Sequence, residues 1–157
     1  MLYGTVGRLY VRSMTVHQEV VLRRGTETIL VVDDEEMITD LARDILVRFG
    51  YTVLTAYSGE EAVDVYRRHK QKISVVVLDI VLPDMDGRDV FRRIREMDPE
   101  AQVIISSGYN QERDATDLLD EGALLFMQKP YRIASLVGTV GEVIEKGKDE
   151  EGKRVRG

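Results

Sequence analysis

The sequence predicts an α/β protein in which a five-stranded parallel sheet is covered by helices on both faces. Two observations predict this class. Five short apolar runs, most of them rich in β-branched residues, alternate with stretches that repeat apolar residues every three or four positions, which is the pattern of strands joined by amphipathic helices. The apolar runs are also nearly continuous, as is typical of parallel strands buried on both faces. Each crossover between these strands is expected to be right-handed.

The first strands and helices are predicted from residue 28 onward. Residues 28–32 form an apolar run that ends in four consecutive acids, residues 33–36. The stretch that follows places its apolar residues on one helix face and ends at Gly50, a residue type common after helix C-termini. Residues 51–56 are predicted as the second strand. A helix is predicted over residues 58–69, because a serine followed three residues later by glutamate is a capping box.

The second half of the chain continues the alternation from the most apolar run, residues 73–78, which Asp79 follows. This run is predicted as the central strand, because it offers no polar face to solvent. The remaining predicted elements are, in order, a helix after Gly87, a strand over residues 102–107, a helix over 111–121, a strand over 123–127 and a final helix over about 133–146.

Both ends of the chain differ from the rest in composition. Residues 1–26 contain four arginines and one glutamate, and their short apolar pieces could form a stray strand or a partner-binding arm. We expect a basic, loosely ordered leader here. Residues 148–157 are highly charged and interrupted by glycine, which predicts a disordered tail. One ordered domain is therefore expected over residues 27–147.

The composition argues against several classes of function. The 157-residue chain has no cysteine, which excludes disulfides, thiolate zinc sites and cysteine nucleophiles. Its net charge of −6 disfavours a general nucleic-acid surface. No run approaches the roughly 18 apolar residues of a membrane span, and Arg8 and Arg12 interrupt any signal-peptide core. We expect a cytoplasmic protein with no direct nucleic-acid contact and no membrane insertion.

Chemically active side chains stand at the ends of four predicted strands: Asp33 and Asp34, Asp79, Ser107 and Lys129. The carboxyl ends of parallel strands meet at one edge of a sheet, where ligands bind. Neighbouring carboxylates repel one another and favour a cation, and Mg²⁺ prefers oxygen ligands and often shares its site with phosphate. A lysine and a hydroxyl beside them complement a phosphoryl group. Asp79 is the best-placed nucleophile and would form an acyl phosphate.

These residues and the motifs around them resemble the receiver domain of bacterial two-component response regulators. The resemblance rests on Asp33-Asp34 after the first strand, Asp79 with LPDMDG at residues 82–87, Ser107-Gly108 after the fourth strand and Lys129-Pro130 after the fifth. It covers about residues 27–147. It implies a doubly wound, flavodoxin-like sheet with strand order 2-1-3-4-5.

The resemblance also implies a role for each residue of the acidic edge. Asp79 would be the phosphoacceptor. Asp34 and Asp79 would ligate Mg²⁺ directly, Asp33 would act through a water molecule, and the backbone carbonyl of Val81 would supply another oxygen. Lys129 would pair with the phosphoryl group.

A conformational switch is implied at two further positions. Ser107 would hydrogen-bond the phosphoryl group, and Phe126, at the switch-aromatic position of the family, would move inward into the space that the hydroxyl leaves. An alignment shifted by one residue would exchange Ser107 with Ser106. The surface expected to change is formed by the fourth helix, the last strand and the last helix of the domain, which is also the face for a possible homodimer.

Partners and turnover follow from the same resemblance. The phosphodonor would be a histidine kinase or a histidine phosphotransfer protein, and a downstream protein would read the switch. Ser107-Gly108-Tyr109 is similar to receivers attached to hybrid sensor kinases, so we expect no DNA-binding output domain. Val81 and Tyr109 occupy positions that often orient attacking water in this family. Valine has no group for this task, which predicts slow autodephosphorylation and no enzymatic turnover.

Two other functions remain open alternatives. A phosphohydrolase of the haloacid-dehalogenase type also uses a strand-end aspartate and Mg²⁺, but it needs a second acid two residues after the nucleophile, where this chain has Val81. A degenerate receiver would bind partners without being phosphorylated, and the complete set of acids, hydroxyl and lysine argues against it. The sequence leaves the isomer of the Lys129–Pro130 bond open.

Overall fold

Strands and helices alternate from residue 28 to residue 156 in the computed structural model, which describes residues 6–12, 17–108 and 112–156. The elements are β1 (Val6–Arg12), β2 (His17–Arg23), β3 (Thr28–Val32), α1 (Glu36–Arg48), β4 (Thr52–Ala56), α2 (Gly59–His69), β5 (Ile73–Asp79), α3 (Gly87–Met97), β6 (Val103–Ser107), α4 (Glu112–Asp120), β7 (Leu125–Gln128) and α5 (Ile133–Arg156).

Strands β3 to β7 form one parallel sheet in the order β4-β3-β5-β6-β7. When these five strands are numbered among themselves, the order is 2-1-3-4-5, which confirms the expected fold class. Helices α1 and α5 cover one face, and α2, α3 and α4 cover the other. The site discussed below lies where β3 and β5 end side by side at the middle of this sheet.

Each face of the sheet has its own apolar core, and β5 contributes to both. Val76 and Leu78 pack into the core beneath α2 and α3, whereas Val75 and Val77 pack into the core beneath α1 and α5. Side chains alternate between the two faces of a strand. The continuous apolar run of this strand is explained by the two buried faces.

The helix boundaries follow local signals in the sequence. The Ser58 hydroxyl accepts a hydrogen bond from the backbone N–H of Glu61 at 3.2 Å, which confirms the predicted cap of α2. Gly50 has a φ of +97°, a left-handed conformation that favours glycine after a helix. The Lys129–Pro130 peptide bond is cis.

In the N-terminal segment, where a loose leader was expected, β1 and β2 pair as two antiparallel strands. Leu22 is 2% exposed and packs in the core shared with α1 and α5. Arg23 forms an ion pair with Glu145 of α5. Apolar burial of Leu22 and the ion pair of Arg23 hold the end of this segment against the sheet and α5.

The C-terminal segment also differs from the expected disordered tail, because α5 continues to Arg156. Lys148 binds Glu27 with a nitrogen–oxygen distance of 3.0 Å, and Arg154 pairs with Glu100. Lysine and glutamate are good helix formers, and these partners lie on the amino-terminal side of the sheet. Within the described residues, no helix combines the length and apolar character needed to cross a bilayer.

Candidate functional site

Three carboxylates meet at the carboxyl end of the sheet. Asp79 is the last residue of β5, and Asp33 and Asp34 directly follow the neighbouring strand β3. Asp33 and Asp79 are 0% and 2% exposed, whereas Asp34 is exposed. One carboxylate oxygen from each of the three residues lies within 4.8 Å of the others. The structure therefore brings together the acids that the sequence predicted at this edge.

Lys129 places its ammonium group between the two buried acids. Its Nζ lies 2.9 Å from Oδ2 of Asp33 and 3.0 Å from Oδ2 of Asp79. The lysine follows β7, and its backbone N–H donates to the carbonyl of Ser107 at 2.8 Å, which fixes where the side chain begins. Burial lowers the pKa of Lys129, but hydrogen bonds and charge from both aspartates raise it above its ordinary value.

The phosphate-accepting chemistry expected of Asp79 depends on its charge. Burial raises its pKa to about 6, because desolvation disfavours the carboxylate. The hydrogen bond and charge of Lys129 lower this pKa, and the negative charge of Asp33 raises it. The carboxylate is ionised at neutral pH, but in an environment that does not fully balance its charge. A cation at this site would supply the missing charge.

The loop between β3 and α1 is held by a residue that sequence reasoning did not identify. Thr39, which is 0% exposed, donates its hydroxyl hydrogen to the carbonyl of Asp33 at 3.0 Å and lies 3.2 Å from the carbonyl of Glu35. The Oδ1 atom of Asp33 accepts the backbone N–H of Glu35 at 3.0 Å. In the sequence, the only sign of this contact is a threonine at a position of α1 that shares a helix face with apolar residues.

The loop after β5 curls around Asp79. The backbone N–H of Val81 lies 3.3 Å from Oδ1 of Asp79, and its side chain is 53% exposed. Gly87 donates its N–H to the carbonyl of Ile80 at 2.7 Å, and a Cβ atom at Gly87 would lie 2.4 Å from the carbonyl oxygen of Asp79. Only glycine fits this close approach.

The two predicted switch residues lie on neighbouring strands. Ser107 ends β6, is 0% exposed, and its hydroxyl lies 3.3 Å from the carbonyl of Gly108. Phe126 lies on β7 and packs, half-buried, against the core beneath α2, α3 and α4. Ser106 is also buried, and its hydroxyl hydrogen-bonds the hydroxyl of Tyr131 at 2.7 Å. Tyr109, the second position expected to orient water, lies outside the described residues.

The donor set of this edge fits a small divalent cation. Three carboxylates offer hard oxygen ligands, and two of them are buried with one lysine between them. Mg²⁺ is bound by few carboxylates and keeps several waters, and the exposure of Asp34 leaves room for those waters. The site lacks the histidine and cysteine ligands that would favour a softer metal.

The sequence matches a known family over most of its length. The family model described as the response regulator receiver domain matches residues 29–141. The chain is 34% identical over 122 residues to the sensor kinase CckA of Brucella abortus, which covers 78% of this chain and 13% of that protein. It is 31% identical over 117 residues to the chemotaxis protein CheY of Bacillus subtilis, which covers 74% of this chain and 96% of CheY.

Solved structures share the fold as well. A response regulator receiver domain protein from Clostridium thermocellum superposes with a TM-score of 0.74 at 31% identity, covering 78% of this chain and 97% of that one. The CheX–CheY–BeF₃–Mg²⁺ complex from Borrelia burgdorferi contains a chain with a TM-score of 0.71 at 36% identity, covering 74% of this chain and 88% of that one. At 31% and 36% identity, these two chains are similar to this one in sequence as well as in fold.

Proposed function

This chain belongs to the response regulator receiver domain family, and we propose that Asp79 is the residue that accepts the phosphoryl group. The observation that carries the proposal is the contact between Asp79 and Lys129, 3.0 Å, within the three-carboxylate cluster. Asp33 contacts the same ammonium group, but of the three acids only Asp79 ends the central strand β5, and the loop that follows it exposes Val81.

The transfer follows from the charges at the site. An oxygen of the Asp79 carboxylate attacks the phosphorus of a phosphohistidine, a P–O bond forms, and the P–N bond breaks with its electron pair returning to the imidazole, which then takes up a proton. Lys129 would neutralise negative charge on the phosphoryl oxygens as it moves from aspartate to phosphate. The product is an aspartyl phosphate on this chain and a free histidine on the donor.

Asp34 and Asp79 would hold Mg²⁺ directly, Asp33 would hold it through water, and the carbonyl of Val81 would complete the protein ligands. The bound ion would supply positive charge to offset the two buried carboxylates and the phosphoryl oxygens. The solved complex from Borrelia burgdorferi contains CheX, CheY, BeF₃ and Mg²⁺, and the three-carboxylate cluster of this chain offers the oxygen ligands that Mg²⁺ prefers.

The partners would be a histidine kinase or histidine phosphotransfer protein as donor, and a downstream protein that reads the phosphorylated form. Ser107 would hydrogen-bond the phosphoryl group, and Phe126 would repack in response. The surface that the downstream protein recognises would comprise α4, β7 and α5. Phe126 lies on β7, and β7 pairs with the strand that ends at Ser107. This face would also support a homodimer.

The aspartyl phosphate would be long-lived. Val81 stands two residues after Asp79, and its exposed side chain offers no polar atom to orient an attacking water. A valine at this position also argues against a haloacid-dehalogenase-type phosphohydrolase, which needs an acid there. The chain would therefore act as a signalling module and not as a turnover enzyme.

The test is intact-mass measurement after incubation with Mg²⁺ and acetyl phosphate. We expect wild type to gain one phosphoryl mass, Asp79→Asn to gain none, and the matched control Asp86→Asn, from the same loop, to behave as wild type. No gain by wild type, together with no binding of beryllofluoride, would overturn the proposal in favour of a binding module without phosphorylation. Rapid continuous release of phosphate would instead support a hydrolase.

A further inference from the structure

A buried pair of hydroxyl groups lies next to the phosphoacceptor edge. The hydroxyls of Ser106 and Tyr131 are 2.7 Å apart, and the two residues are 0% and 6% exposed. Such a contact between two side chains in an apolar core has a structural cost if either partner is removed. Neither residue has a part in the phosphoryl transfer described above.

Ser106 lies on β6, which pairs with the strand that carries Asp79. In the parallel register of β5 and β6, Ser106 pairs with Asp79, so the two side chains point to the same face of the sheet. The carbonyl of Ser106 also accepts the backbone N–H of Ile80 at 3.3 Å. The serine is therefore fixed relative to Asp79 by the sheet itself.

Tyr131 is close to Lys129 in the chain, and both residues contact β6. It stands two residues after Lys129, and the lysine N–H donates to the carbonyl of Ser107, next to Ser106. The segment from Lys129 to Tyr131 is thus bound to β6 at both ends, once by main chain and once by the hydroxyl pair. Burial raises the pKa of Tyr131, so its hydroxyl stays protonated and the contact persists at neutral pH.

We propose that Ser106 and Tyr131 are positioning residues that hold the Lys129 ammonium against Asp79 and thereby set the rate of phosphoryl uptake. A lysine side chain has four rotatable bonds, so the place of its ammonium depends on where its backbone is held. Loss of the hydroxyl pair frees one end of the segment and lets the ammonium move away from the carboxylate. Small displacements of a charge at a reacting centre reduce rates strongly. This inference rests on the proposed function.

The test uses Tyr131→Phe, Ser106→Ala and the double variant, with Tyr66→Phe as the matched control. Tyr66 is also buried and donates its hydroxyl hydrogen to Asp98 at 2.7 Å, but it lies on α2, away from the acidic edge. We expect each single variant to take up phosphate from acetyl phosphate about tenfold more slowly than wild type. The double variant should be as slow as the single ones, and Tyr66→Phe should match wild type.

A purely structural role predicts a different pattern. The double variant leaves no unpaired hydroxyl, so its stability should recover relative to the single variants, and a structural role would restore its rate as well. Slow uptake in a double variant of recovered stability supports positioning. A wild-type rate in Tyr131→Phe overturns it.

Hydrogen exchange of the Lys129 ammonium, followed by ¹⁵N NMR in the absence of phosphodonor, measures positioning independently of phosphorylation. We expect faster exchange in Tyr131→Phe than in wild type and Tyr66→Phe. Equal exchange overturns the positioning role, even where wild type takes up phosphate normally. Failure of wild type to take up phosphate, with exchange still faster in Tyr131→Phe, overturns the proposed function and leaves the positioning role supported.

Discussion

Asp33 and Asp79 share a single ammonium group, since Lys129 lies 2.9 Å from the carboxylate of the first and 3.0 Å from that of the second. Both acids are almost completely buried. Two negative charges therefore face one positive charge in a region that water screens poorly. The excess negative charge is electrostatically unfavourable for the metal-free domain, and a divalent cation bound at this edge would offset it.

Asp79→Asn is expected to stabilise the metal-free domain at pH 7. The pKa of Asp79 is raised from 3.8 to about 6, so its charge opposes folding, and a neutral amide of the same shape removes that charge. We expect a gain on the order of 1 to 3 kcal/mol in urea unfolding. Asp34→Asn, which changes an exposed acid of the same cluster, is the control and should change stability less. A less stable Asp79→Asn would contradict the charge imbalance.

The same pKa predicts the pH dependence of Mg²⁺ binding. A protonated Asp79 is a poor ligand, so the affinity for Mg²⁺ should fall as the pH drops through about 6. Without metal, the folded protein binds the proton more tightly than the unfolded chain. The contribution of Asp79 to stability is therefore highest below pH 3.8 and is lost as the pH rises through about 6. Calorimetric titrations between pH 5 and 8 would measure the affinity, and a pH-independent affinity would refute the assignment.

Asp84 links the loop after β5 to α2. Its two carboxylate oxygens accept the backbone N–H groups of Gly59 and Glu60 at 2.8 and 2.9 Å, and these hydrogen bonds lower its pKa. We expect Asp84→Ala to lower the free energy of unfolding by about 1 to 2 kcal/mol. Asp64→Ala, which breaks exposed ion pairs with Arg67 and Arg68 on the same helix, should cost less than about 0.5 kcal/mol. Equal losses of stability in the two variants would show that the hydrogen bonds of Asp84 to α2 contribute little.

Much of the fold and of the site could be predicted because local pattern and sheet geometry act together. An apolar run followed by a polar side chain identifies a strand end, and parallel strands bring their carboxyl ends to one edge. Asp33, Asp34, Asp79 and Lys129 meet there as expected. The strand order did not follow from the pattern and came from the family resemblance.

The contacts that sequence reasoning missed depend on residues far apart in the chain. Leu22 is buried in a core that also contains residues of α1 and α5, and the charged end of α5 pairs with Glu27 and Glu100. Ser106 and Tyr131 are each unremarkable alone, and only the register of the sheet brings their hydroxyls together. Nothing in the sequence around Thr39 indicates that its hydroxyl contacts the carbonyl of Asp33. Such pairings are set by tertiary packing, which propensity does not encode.

Leu22→Ala tests whether the N-terminal segment belongs to the folded domain. Leu22 is 2% exposed and packs with the core of α1 and α5, so the truncation should lower the free energy of unfolding by about 2 to 4 kcal/mol. Val155→Ala is the control, because Val155 is 82% exposed and its truncation should change stability by less than about 0.5 kcal/mol. A negligible effect at Leu22 would place the start of the domain at about residue 27, as the sequence suggested.

The lifetime of the aspartyl phosphate is expected to depend on Val81. Its backbone N–H lies 3.3 Å from Oδ1 of Asp79, and its side chain is exposed beside that carboxylate. An amide at this position can orient a water molecule toward the phosphorus, so Val81→Asn should shorten the half-life several-fold. The loss of phosphoryl mass with time, after removal of acetyl phosphate, measures it. Met37→Asn introduces the same amide at a residue of α1 that is 86% exposed and should leave the half-life unchanged. A wild-type half-life of seconds, or equal lifetimes in Val81→Asn and wild type, would show that water reaches the phosphoryl group without help from this side chain.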